Sequence, residues 1–259
     1  MKILLFLISF FLFFGCNKQS KFSKIELPKS SSKLGTGIIH FNTQFPIPLY
    51  RTENDSLPYD TLKFRSKEFG LQKGTMLFET KTLGEKLQPY LLEKGDSDFD
   101  AKSNINVGLI RFVPQLIFRV QKKSENGVTV IINEETFETS YVKLNGKNQV
   151  KPDFNYFDPN LHDYKENPNW HYYQSWDETI RRAFSITPNK GERIYETPNG
   201  KLLRIEEADQ YYTVDSIVGN WAKLSNYGIN SYEKTNKGWL QWNRNDSITV
   251  HIRMQGGYE

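Results

Sequence analysis

Cysteine occurs once in the 259-residue chain, at Cys16. A lone thiol excludes an intramolecular disulfide and a thiolate metal site. Histidine is nearly as scarce: His40, His162, His171 and His251 are scattered, without the i, i+4 pair that holds zinc on a helix. No Gly-x-Ser-x-Gly, phosphate-binding glycine loop or dinucleotide fingerprint is present. Asp96-Ser97-Asp98-Phe99-Asp100 opens like a calcium loop, but Ala101 and Val107 stand where the loop needs a glycine and a chelating carboxylate. These absences leave no cofactor to expect and no catalytic group to single out.

Charge of one sign is also lacking once it is located. The formal net charge is +4. Lys2, Lys18, Lys21, Lys24, Lys29 and Lys33 face only Glu26, which leaves 28 basic and 29 acidic side chains in residues 37–259. A nearly neutral body offers no electrostatic footprint for nucleic acid. The Ser-, Lys- and Pro-rich stretch 16–36 cannot bury a core of its own and is expected to be a disordered basic tether.

Apolar runs are confined to one place. Ile3 to Phe14 is continuous except for Ser9, follows Lys2, and gives way at once to Asn17-Lys18-Gln19-Ser20. Twelve helical residues rise about 18 Å, short of the roughly 30 Å of a bilayer core. That length suits the apolar region of a signal peptide over residues 1–15. Leu12-Phe13-Phe14-Gly15-Cys16 resembles the lipobox of bacterial lipoproteins, with phenylalanine at two positions where small or aliphatic residues are commoner. The resemblance implies cleavage before Cys16, alkylation of its thiol by diacylglycerol, and acylation of the new amino group. Several acyl chains anchor stably where one is marginal, at about 0.8 kcal/mol per buried CH₂. Asn17, in place of the aspartate that retains some lipoproteins at the inner membrane, implies an outer-membrane address in the cell envelope.

The rest of the chain carries one pattern twice. Pro48-Leu49-Tyr50-Arg51-Thr52-Glu53-Asn54-Asp55 resembles Arg193-Ile194-Tyr195-Glu196-Thr197-Pro198-Asn199-Gly200, a short strand entering a turn. Tyr141 to Val150 aligns with Trp239 to Ile248. Between these landmarks each half holds a predicted hairpin: Leu116–Gln121 and Val128–Ile132 about Glu125-Asn126-Gly127, then Tyr211–Asp215 and Trp221–Leu224 about Val218-Gly219-Asn220. In this alignment Val128 stands where Trp221 stands, and Tyr141 where Trp239 stands.

Gly219-Asn220-Trp221-Ala222-Lys223-Leu224 and Lys237-Gly238-Trp239-Leu240 resemble two strands of the bacterial SH3 (SH3b) family, over roughly Glu192 to Ile252. The family's opening Val-Arg-x-Gly-Pro is absent, and Ser225–Asn236 is longer than usual. The resemblance implies a small five-stranded barrel with glycines at its corners. It also implies a role in recognising a peptide of the cell wall or of another envelope protein. Cysteine peptidases often accompany such domains, and a lipidated Cys16 leaves no thiol for that chemistry.

The expected architecture is therefore mainly β with minor α: two small SH3-like β-barrel domains joined by a connector and a short amphipathic helix. Residues 37–150 form a decorated SH3-like or other small β domain, with a strand at Thr75–Thr80, a short helix at Gly84–Leu92 and a strand at Val107–Val113. Residues 151–190 form the connector, and 191–259 the second domain. Within the connector, Ser175 and Glu178 make a capping box for a helix over 175–185, placing Trp176, Ile180, Ala183 and Phe184 on one face. Trp170, Tyr172, Tyr173 and Trp176 read as packing contacts.

Candidate ligand-binding residues are the aromatics of the second domain, Tyr211, Tyr212, Trp221, Trp239 and Trp242, with Tyr227 nearby. Trp239 and Leu240 must face opposite ways in a strand and Trp242 must rejoin Leu240, so one tryptophan is core and the other is free to be exposed. The rival reading is a metal-dependent envelope hydrolase that uses His162 and His171 of the connector, with Asp158 and Asp163. Mass spectrometry of the mature chain should find Cys16 as a diacylglyceryl N-terminus, and Cys16→Ser should abolish fractionation with membranes. An intact Met1 or a free thiol would refute the leader reading.

Overall fold

The computed structural model describes residues 25–42, 45–66, 76–92, 109–110, 116–144, 170–207, 210–227 and 234–254. The fold is mainly β. In the first half the strands are β1 (Gly37–Phe41), β2 (Ile47–Leu49), β3 (Asp60–Ser66), β4 (Met76–Glu79), β5 (Leu91–Leu92) and β6 (Leu109–Ile110). They continue with β7 (Leu116–Ser124), β8 (Gly127–Ile131), β9 (Thr139–Lys143) and β10 (His171–Ser175). The one α-helix among the described residues, α1 (Trp176–Arg181), leads into β11 (Ala183–Pro188), β12 (Arg193–Tyr195) and β13 (Leu202–Ile205). The rest are β14 (Thr213–Val218), β15 (Trp221–Tyr227), β16 (Lys234–Gln241), β17 (Asn243–Arg244), β18 (Ser247–Ile248) and β19 (Val250–Met254).

The repeat in the sequence is a repeat in pairing. In the first half the spatial order is β3-β2, then through the Tyr50–Tyr141 bridge to β9-β8-β7-β1-β10. In the second half it is β13-β12-β16-β15-β14, then through the Tyr212–Ile186 bridge to β11-β19. Seven strands thus recur in the same chain order and the same neighbour order. Tyr50 bridges Tyr141 as Tyr195 pairs with Trp239. Equivalent core positions agree: Ile39, Leu49, Phe118, Val130 and Val142 fill one unit, and Ile186, Ile194, Tyr212, Leu224 and Leu240 fill the other.

Two corrections accompany this duplication. Among the described residues no sheet closes into a barrel: β4 extends the first set beyond β3, and β6 pairs in parallel with β19. The first hairpin turns at Glu125-Asn126 and the second at Gly219-Asn220, so Gly127, not Val128, occupies the place of Trp221. Gly127 is required there because the Tyr141 ring already fills the space a side chain would take; an added Cβ would lie 2.5 Å from it.

The expected helix over 175–185 is shorter. Its capping box forms as the sequence indicates, Ser175 accepting from Glu178 N while the Glu178 carboxylate accepts from Ser175 N at 2.8 Å. The helix ends at Arg181, and Ala183–Pro188 pairs with Val250–Met254 instead. The β-branched Ile186 and Thr187 suit that pairing, and Phe184, expected on the helix's buried face, is exposed. The helix expected over Gly84–Leu92 is reduced to a 3₁₀ turn at Gly84–Lys86. Pro89 bars helical continuation, and Leu91–Leu92 joins β7. The strand expected at Thr75–Thr80 is β4; of the one expected at Val107–Val113, the described part is β6.

The expected disordered tether is the largest departure. Residues 25–36 are built into the fold. Ile25 and Leu27 are buried in the core of the first unit, Lys29 bridges Glu138, and Thr36 N donates to Val120 O at 2.7 Å. At the centre of this strap, Asp246 accepts from Ser32 Oγ at 2.7 Å, from Leu34 N at 3.1 Å and from Lys33 N. Composition alone does not reveal it, because the partners lie from about 60 to over 200 residues away.

Both faces of the β1-β7 pair are covered, which is why β1 is buried at every position rather than alternating. Ile39, Phe118 and Val120 face the first core; Ile38 and Ile117 face the second, together with Tyr90, Leu91 and Trp176. Arg119 lies in this seam. Its Nη1 donates to Lys33 O at 2.9 Å, and its guanidinium sits 4.7 Å from the Tyr90 ring and 5.9 Å from that of Trp176. Its Nε approaches Glu134 Oε2 at 2.9 Å as a buried ion pair, in an orientation outside hydrogen-bond geometry.

Burial pushes the Glu134 carboxyl up to about 7, and the Arg119 charge only partly opposes the shift. A carboxyl whose folded value lies above its unfolded one stabilises most when protonated, and that contribution is lost as pH rises through the folded value. Stability should therefore fall between pH 5 and 8 on this group's account, and Glu134→Gln should flatten the fall. Denaturant melts followed by tryptophan fluorescence at both pH values check this; an unchanged slope in the variant would refute it.

Candidate functional site

The second unit presents one face to its core and one to solvent. Ile194, Leu240, Ala222, Leu224 and Ile217 point inward and are buried. Register and strand alternation put the other set on the outer face. Tyr195 pairs with both Leu202 and Trp239, Trp239 with Lys223, and Lys223 with Ser216, a row across five strands. A second row holds Gln241, Trp221 and Val218. The Tyr195 and Trp221 rings meet edge to face, with centroids 5.3 Å apart, an arrangement that aromatic quadrupoles favour.

This face is apolar beyond what a solvated sheet needs. Val218 is 59% exposed, Ile205 49% and Leu202 42%. Leu203, Phe184, Tyr211 and Leu57 are the other exposed large apolar residues among those described. Among the described residues Leu202–Ile205 is also the end strand of the sheet, paired only with β12, with three exposed apolar side chains. Clustered exposed apolar surface marks interaction sites.

Gly238 sets the geometry beside Trp239. It holds φ +109, and a Cβ there would lie 2.6 Å from Tyr195 O and 2.8 Å from Ile194 Cγ2. The absence of a side chain therefore lets β12 and β16 approach closely while the next residue, Trp239, projects outward.

The five aromatics singled out in the sequence divide. Trp239 is half-buried on the outer face, with Trp221 beside it, buried at its rim against Tyr195. Trp242 returns to the core, packs against Trp176 and donates from Nε1 to Gly219 O at 3.1 Å, as strand alternation requires. Tyr212 is buried in the core. Its hydroxyl donates to Glu206 Oε2 at 2.7 Å and accepts from Arg204 Nη2 at 3.1 Å, and burial raises its phenol above the ordinary value. Tyr211 is exposed at a strand entrance, apart from the two rows. The Tyr227 side chain, Cys16, His162 and Asp96–Asp100 lie outside the described set. Tyr195, Leu202 and Val218 were not singled out from the sequence. The alternation of β12 against β16 signals Tyr195, but the exposure of Leu202 and Val218 is set by which strand ends the sheet.

The candidate hydrolase site gains no support. His171 is buried in β10, paired with Phe41 in the first unit's sheet, and is not on a connector loop. Trp170, Tyr172 and Trp176 are buried and Tyr173 is half-buried, consistent with packing roles. Among the described residues no group of three or more His, Cys, Asp or Glu is placed to hold a metal, and no helix is long and apolar enough to cross a membrane. The chain matches no protein-family model, no curated protein and no solved structure.

Trp242→Ala should cost about 3–5 kcal/mol, the range for emptying a large aromatic site, while Val218→Ser and Tyr211→Ser should each stay within about 0.5 kcal/mol. Equilibrium urea denaturation separates the classes. Equal losses at Trp242 and Val218 would show the face assignment to be wrong.

Proposed function

We propose that the protein is a lipid-anchored lipoprotein of the cell envelope, resident at the outer membrane, that acts as a non-catalytic binding or scaffold module. Its two units are read as SH3-like, and the outer face of the second recognises an extended peptide, with the peptide stem of peptidoglycan as the favoured ligand. The lipobox-like Leu12-Phe13-Phe14-Gly15-Cys16 supports the anchor. The recurrent seven-strand order and the Gly238-Trp239 corner support the SH3-like reading.

The observation that carries the binding role is the apolar row on the second sheet, running from Leu202 through Tyr195 and Trp239 and flanked by Trp221 and Val218. Flat rings grip an extended chain at little entropic cost, and an open strand end supplies main-chain hydrogen bonds. The equivalent face of the first unit differs at two described positions. There Tyr141 is buried over Gly127 with its hydroxyl 2.9 Å from Ser124 Oγ, and the Lys143 ammonium sits 4.2 Å from the Tyr50 ring. The two copies have diverged on this surface while keeping the same core.

Sedimentation with purified peptidoglycan and titration with its free stem peptide test the role. The wild-type chain should bind, and Leu202→Glu and Val218→Glu should weaken binding at least tenfold while melting like wild type. Absence of binding by the wild type, or full binding by both variants, would refute the assignment.

A further inference from the structure

We infer that the strap gives the protein one orientation on the membrane: the first unit lies against the bilayer, and the second unit is held away from it. This rests on the lipidation of Cys16 proposed above. Reach decides which face can meet the membrane. Were residues 16–36 a free tether, twenty residues would extend about 70 Å at 3.3–3.6 Å each. A folded body of this size has a radius of gyration near 17 Å and a diameter of about 45 Å. A 70 Å leash exceeds that diameter, so any face could meet the membrane.

The structure removes most of that length. Ile25 is already buried, and its carbonyl accepts from Lys86 Nζ at 3.1 Å, beside the exposed Glu85. Only nine residue steps separate Cys16 from Ile25, a reach of about 30 Å at full extension. Such a leash is shorter than the body and cannot carry the lipid round to the far side.

The far side is defined by the packing. Ile25 and Leu27 belong to the first unit's core, whereas the second unit packs on the opposite face of the β1-β7 pair through Ile38, Ile117 and Trp176. Within the second unit the contacts to the strap and helix include Asp246, Trp242 and Ile217, whose carbonyl accepts from Arg181 Nη2 at 3.3 Å. Antiparallel pairing of Tyr195 with Trp239 sends the 196–201 turn away from that end of β16. The turn and the neighbouring Leu202 are thus remote from the anchor. Lys18, Lys21 and Lys24 add attraction to anionic head groups on the anchored side.

The test uses the full lipidated chain in liposomes of zwitterionic and anionic phospholipid, with a benzophenone amino acid placed at Glu85 or at Asn199. Glu85 should give lipid adducts and Asn199 at most one-tenth as many. Inserting fifteen Gly/Ser residues after Ser20 should bring the two yields within about twofold. Comparable adducts at both positions in the native-length chain would overturn the orientation, as would a difference that persists after insertion. Mass spectrometry of the same sample reports the acyl groups on Cys16, so a failed lipidation reading is distinguished from a failed orientation.

Discussion

Arg119 is the constraint on which the two halves depend. A guanidinium at an enclosed position of β7 must have its charge answered, because an unpaired buried ion costs several kcal/mol. Glu134 answers the charge, Lys33 O takes a proton donor, and the Tyr90 and Trp176 rings cover the planar faces. Each partner comes from a different segment: the turn after β8, the strap, the loop before β5, and α1. Satisfying one side chain therefore fixes four segments at one point. Trp176 in turn donates from Nε1 to Leu34 O at 3.1 Å, and Asp246 of the second unit holds the same stretch, accepting from Leu34 N at 3.1 Å.

Around that point the molecule is a duplication with unequal surfaces. Both copies keep the order of seven strands and an apolar residue at each equivalent inward position. What differs is what covers the sheet. The first unit is enclosed on both faces of β1 and β7, by its own core and by the seam. Among the described residues the second unit is enclosed on one face only, which leaves Tyr195, Trp239, Leu202 and Val218 at least partly exposed. The peptide recognition proposed above rests on the flat rings and end strand of that face.

Much of the local structure was legible in the sequence because its causes are local. The capping box of Ser175 and Glu178, the hairpin turns at Glu125-Asn126 and Gly219-Asn220, and the opposed faces of Trp239 and Leu240 follow from neighbouring residues and the two-residue period of a strand. The duplication was legible through Tyr50 and Tyr195, each a strand residue followed by a turn. The expected leader and Cys16 rest on length and hydropathy alone and lie outside the described residues.

Only the tertiary structure decided the rest. That residues 25–36 form a strap depends on Asp246, Arg119 and Trp176, none near it in sequence. That Ala183–Pro188 leaves the helix depends on β19 offering a partner. Tyr212 is core and Val218 is surface because of which strands stand at the end of the sheet, a property that neither residue's neighbours encode. Hydrophobic pattern and caps select elements through contacts within a few residues, whereas burial and exposure are set by pairings between distant ones; the first is written along the chain, and the second exists only once it has folded.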